Sequence, residues 1–169
     1  MIICDLIRKY ICPKDDILND LFKLSGYFNG NDFIIFNRDE IMSIVKNKFQ
    51  PNIIGNFYPK DLFYVGYPEE IMIEFNKVYS KYKPRYKSEY FDCDNFAIDY
   101  LVMLSRFTYN IPNIKYSFAI GNIMGNFSWV NNYHEINFYL TPNKEIYLFD
   151  PQTLKKREID DTKIRFSFF

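Results

Sequence analysis

The chain has 169 residues and a mass of 20.5 kDa, which predicts one domain with enough buried core to fold without staples. Its 21 basic and 21 acidic residues cancel, so no net field draws in nucleic acid or an anionic membrane. Three cysteines are too few for a disulfide framework, and no apolar run approaches the roughly 18 residues of a membrane span.

Phe, Tyr, Ile, Asn and Lys make up more than half of the chain. These types share A/T-rich codons, so codon bias explains the aromatic content better than base stacking does, because no basic groove accompanies it. The first dozen residues carry neither a basic leader region nor a small-residue cleavage site, and a cytoplasmic or otherwise non-secreted protein is expected.

Asp15 and Asp16 precede an amphipathic stripe of Ile17, Leu18, Leu21, Phe22 and Leu24, which Gly26 can end. Asn37 is placed to cap a second helix bearing Ile41, Ile44 and Val45. Residues 49–67, broken by Pro51, Gly55, Pro59 and Gly66, read as loop. Pro68 and the acids Glu69 and Glu70 open a third helix with Ile71, Phe75 and Val78, which Pro84 stops. Asp92 caps a fourth, whose stripe is Phe96, Ala97, Tyr100, Leu101 and Leu104. After Pro112 the hydrophobic period changes to two, predicting strands at 116–124, 133–140, 145–150 and 163–168. The run Lys155, Lys156 and Arg157 reads as surface charge offset by Glu158, Asp160 and Asp161. The expected architecture is a single α+β domain over 1–169. Residues 1–85 form a part built of helices and loops, and 86–169 form a cysteine-bearing helix packed on an antiparallel sheet.

The chemistry concentrates around Cys93. It falls in the first turn of the fourth helix, where free N–H groups and the helix dipole favour a thiolate and can hold an oxyanion. A cysteine nucleophile needs a base, and the chain has one histidine, His134, on a predicted strand. Strand parity supplies the group that would orient it. His134, Ile136, Phe138 and Leu140 share a face, as do Ile146, Leu148, Asp150 and Gln152. Joining these faces through a loop of three or five residues around Asn143 puts Ile136 opposite Asp150, and His134 and Asp150 become diagonal neighbours. Cys4 and Cys12 read as core packing.

Asp92 and Asp94 flank Cys93 and oppose its ionisation, a difficulty that a bound cation would remove. Asp92, Asp94, Asn95, Asp150 and Gln152 offer the oxygen donors that Ca²⁺ accepts. Zinc is not expected, because one histidine and three scattered cysteines make no four-ligand shell. No nucleotide-binding glycine motif occurs.

Segments 90–97, 134–137 and 149–153 resemble the C-terminal domain of the fairy-ring mushroom agglutinin and its bacterial relatives, a calcium-dependent papain-like cysteine peptidase domain. The family pattern is a Cys-Asp-Asp run opening a helix, a His-x-x-Asn strand and a Glu-Pro-Gln strand. The resemblance implies a papain-like fold with Cys93 as nucleophile, His134 as base and Asp150 as orienter, where the family has Glu. It places Asp94, Asn95 and Gln152 at calcium-associated positions, with Asn95 replacing an acid. It spans about residues 86–154, and no β-trefoil lectin repeat is present. The implied activity is hydrolysis of an amide in a peptide or protein substrate, with the Cys93 N–H and, as a candidate, Gln50 donating to the oxyanion. Transglutaminase-like acyl transfer and an inactive binding module of the same fold are the alternatives.

Overall fold

The computed structural model describes residues 15–50, 52–53, 57, 59–87, 92–130, 133–158 and 163–168. Cys4, Cys12, Gly55, Tyr90, Asp160 and Asp161 lie outside the described residues. In chain order the elements are α1 (Asp15–Ser25), a 3-10 turn (Gly30–Asp32), β1 (Ile35–Asn37), α2 (Arg38–Phe49), β2 (Phe63–Val65), α3 (Glu69–Tyr82), α4 (Cys93–Tyr109), β3 (Ile120–Gly125), β4 (His134–Leu140), β5 (Ile146–Asp150), β6 (Lys155–Arg157) and β7 (Ile164–Phe168). Among the described residues they make four helices, a two-stranded sheet and a five-stranded antiparallel sheet of order β6-β5-β4-β3-β7.

Local chemistry explains the helix starts. The Asn37 side chain accepts from the Glu40 amide at 3.0 Å while Glu40 accepts from the Asn37 amide at 3.0 Å, a reciprocal cap that opens α2. Pro68 caps α3, and two acids occupy the first turn. Two short strands, β1 and β2, fall partly in the stretch expected to be loop. Each has three residues, too few to show a period, and they exist because they pair with each other. The expected strand at 116–124 begins only at Ile120, since the preceding residues bond elsewhere. The Val65 amide donates to Ser117 O at 2.9 Å and the Ala119 amide to Val65 O at 2.8 Å.

The large sheet is covered on both faces. Tyr139 and Phe149 join Phe75, Tyr100 and Phe107 in a core shared by α1, α3 and α4. Ile136, Phe138 and Leu148 join Ile41, Val45 and Phe49 of α2 in a second core. All of β4 is therefore buried, the residues between the aliphatic ones included. Tyr100 links the layers, with its ring 5.2 Å from Phe75 and 4.9 Å from Phe149. This sandwich fixes the start of α4 against the start of β4.

Candidate functional site

Cys93 is the first residue of α4, half-buried and not in a disulfide. The Asp92 amide donates to Asn95 Oδ1 at 3.4 Å and the Asn95 amide to Asp94 Oδ1 at 2.9 Å, so these side chains build the helix start. β4 begins at His134 and β5 ends at Asp150. The register pairs Asn137 with Phe149 and Phe138 with Leu148, which is the parity that brings His134 and Asp150 to one face. The loop between them is short, with the Thr141 amide bonded to Glu145 O at 2.9 Å.

The three side chains meet. His134 Nε2 lies 3.5 Å from Asp150 Oδ1, and Cys93 is close enough to the imidazole to act on its titration. Burial alone would discharge the imidazole, but the Asp150 carboxylate and Cys93 beside it overcome burial and raise the His134 pKa to about 9. Burial likewise opposes the Asp150 charge, yet His134, Thr153 and Arg157 hold its pKa at about 2. Asp150 accepts from Thr153 Oγ1 at 2.7 Å, from the Gln152 amide at 3.1 Å and from Arg157 at 3.3 Å. At neutral pH the pair is imidazolium and carboxylate.

Sequence reasoning misses two residues at this site. Arg157 reads as surface charge, but it reaches Asp150 and lays its guanidinium 4.2 Å over the Trp129 ring. Trp129 stands edge-on to His134 at 5.5 Å and stacks on Phe127 at 4.9 Å. The turn after Asp150 carries the signal that could have found Arg157. It reverses the chain into β6, with Leu154 at a φ of 59°, and sets Leu148 opposite Arg157.

The expected metal shell does not assemble. Asp94 is exposed, and the Asn95 carboxamide oxygen is taken by a backbone N–H. The Gln152 carbonyl accepts from the Lys83 ammonium, which occupies a cation's place at that turn. Among the described residues no group of three or more His, Cys, Asp or Glu side chains could hold a metal ion. Asp92 and Asp94 belong to no such group. Gln50 is the exposed C-cap of α2.

No family model and no curated protein matches this chain. Solved structures do. One, a PSL1a–E64 complex, is 17% identical with a TM-score of 0.65, over 78% of this chain and 51% of the other. Another is Polyporus squamosus lectin bound to a human-type influenza-binding epitope, Neu5Acα2-6Galβ1-4GlcNAc, again 17% identical, with a TM-score of 0.64 over 78% and 49%. The chain spans about half the length of these chains. Identity at this level speaks for the fold. The comparisons overturn the expected assignment as a papain-like cysteine peptidase, because the protein named among the matches is a lectin. The hydrolase reading and its acyl-transfer alternative are withdrawn with it. No helix among the described residues is long and apolar enough to cross a membrane.

Proposed function

We propose that this chain is a ligand-binding module whose site is the Cys93, His134 and Asp150 group. The observation that carries the reading is the buried His134–Asp150 ion pair set against a half-buried thiol. Burying two charges costs more than burying apolar side chains of the same volume, so such a pair is better explained by what it presents than by the stability it adds. Here it presents an imidazolium beside a sulfur nucleophile at the first residue of a helix. The ligand class that fits is a small electrophile or an acceptor-bearing group. E64, the compound held in one matched structure, is an epoxide. Its capture would form a C–S bond to Cys93 and break a ring C–O bond, with the imidazolium proton passing to the released oxygen and the thiol proton replacing it on the imidazole.

Peptide mass spectrometry after exposure to E64, and separately to iodoacetamide, tests this. One adduct is expected on Cys93 and none in His134→Gln. Iodoacetamide labelling at pH 6 should be about tenfold faster in the folded protein than in urea. No adduct, together with equal folded and unfolded rates, would remove the reading.

A second reading, sugar binding, takes its motive from the lectin among the matched structures and is favoured by one cleft. About 350 Å³ in volume, it lies beside the end of α4 and is lined by Tyr109, Tyr116, Ser105, Ser117 and Lys115. Aromatic faces with a few hydroxyl groups suit the apolar face and polar rim of a pyranose. A rise in melting temperature with Neu5Acα2-6Galβ1-4GlcNAc, lost in Tyr109→Ala and kept in Cys93→Ala, would support it. No rise at millimolar sugar would dismiss it.

A further inference from the structure

Beneath the first turns of α4 lies a buried polar chain. Asn137 Nδ2 donates to the Ala97 carbonyl at 3.1 Å and to Asn122 Oδ1 at 2.6 Å, and Asn122 Nδ2 donates in turn to Glu135 Oε1 at 2.9 Å. Asn137 and Asn122 are 0% exposed and Glu135 is 6% exposed. The chain joins three elements. Glu135 and Asn137 come from β4, Asn122 from β3, and Ala97 from α4, one turn beyond Cys93.

The surrounding packing is aromatic and aliphatic, and apolar contact is non-directional. The bond to the Ala97 carbonyl is directional and adds a defined register to that packing. Asn137 Oδ1 has no protein partner, so the carboxamide carries a desolvation penalty that a leucine of similar size would avoid. A group retained at that cost is explained if it fixes a register. The register it fixes is a specific one, because Asn137 lies three residues along the strand from His134 and its bond ends four residues along the helix from Cys93.

We infer that Asn137 is a positioning residue that sets the distance between the Cys93 sulfur and the His134 imidazole by pinning α4 to β4. The inference rests on the reading of Cys93 and His134 as the binding site. It extends that reading to a residue that touches neither the thiol nor a ligand.

The test compares iodoacetamide labelling of Cys93 at pH 6 in the wild type, Asn137→Leu, Asn122→Ala and Leu104→Ala, with melting temperatures measured alongside. Leu104 is fully buried in the second half of α4 and serves as a matched destabilised control. Asn137→Leu is expected to slow labelling about tenfold, since small displacements of paired reacting groups have effects of this size or larger. Asn122→Ala, which leaves the bond to Ala97, should slow it less, and Leu104→Ala should lower the melting temperature without slowing it. Wild-type labelling rates in Asn137→Leu would overturn the inference, as would equal slowing in Leu104→Ala. Should Asn137→Leu fail to fold, the contrast between Asn122→Ala and Leu104→Ala decides in the same way. Slow labelling in the wild type itself would instead count against the thiol-site reading.

Discussion

His134 and Asp150 lie 3.5 Å apart on two paired antiparallel strands, and both side chains are removed from solvent. The imidazole lies at the open end of the β3–β4–β5 ladder, while the carboxylate is locked by Thr153 and Arg157. One partner is anchored and the other faces the thiol.

This pairing makes stability depend on pH. The His134 pKa is raised from 6.5 to about 9, so its contribution is complete below pH 6.5 and is lost as pH rises through 9. The Asp150 pKa is lowered from 3.8 to about 2, so its contribution holds above pH 3.8 and is lost as pH falls through 2. The shifts, to which Cys93, Thr153 and Arg157 also contribute, amount to about 3 kcal/mol, counted once for the pair. Urea unfolding midpoints should therefore fall between pH 6.5 and 9 in the wild type and change much less in His134→Gln. Parallel pH profiles in the two proteins would show that another group titrates.

The part of this site that follows alternation was legible in the sequence. A period of two fixes which side chains share a face, and joining the two aliphatic faces selects a loop of three or five residues around Asn143, so the relation of His134 to Asp150 can be anticipated from the residues. Asn37 can be read too, because a cap depends on residues three apart. What cannot be read depends on contacts distant in sequence. β1 and β2 are strands only because each meets the other. Tyr139 and Asn137, on the face of β4 opposite Ile136 and Phe138, are buried because a second set of helices covers that face. Arg157 looks like surface charge because nothing in a basic run indicates that a turn will aim one member inward.

Trp129 is the chain's one tryptophan and meets the His134 ring edge-on at 5.5 Å. An imidazolium quenches a neighbouring indole more strongly than neutral imidazole does. Emission should rise as pH passes through about 9, following the loss of the His134 proton. The titration should be flat in His134→Gln. A midpoint near the ordinary histidine value of about 6.5 would mean that Asp150 and Cys93 do not hold the charge.

Gly30 and Gly26 make a contrast that tests the packing at the end of α1. A Cβ at Gly30 would overlap Ile114 and lie 2.5 Å from the Asn113 carbonyl carbon, both backbone, and the Gly30 amide is tied to Pro112 O at 2.7 Å. Backbone cannot yield as a side-chain tip can, so Gly30→Ala should cost about 2–3 kcal/mol. A Cβ at Gly26 meets only Lys23 O at an ordinary 3.5 Å, and Gly26→Ala should change stability by less than about 0.5 kcal/mol. Equal unfolding midpoints for the two variants would refute the close approach.

Arg157 shares Asp150 with His134, and the two cations have opposite effects on the proton. The guanidinium keeps the carboxylate ionised and in place, and its positive charge beside the same carboxylate is expected to disfavour a second one on the imidazole. Methionine at this position would still cover the Trp129 ring but would carry no charge. Arg157→Met should thus move the Trp129 emission midpoint to higher pH than in the wild type. It should also destabilise the fold by about 1–3 kcal/mol, since Asp150 loses one of its bonds in a buried setting. A midpoint shifted to lower pH would show that the guanidinium acts mainly by holding Asp150 in position for His134, and that without it the carboxylate turns away.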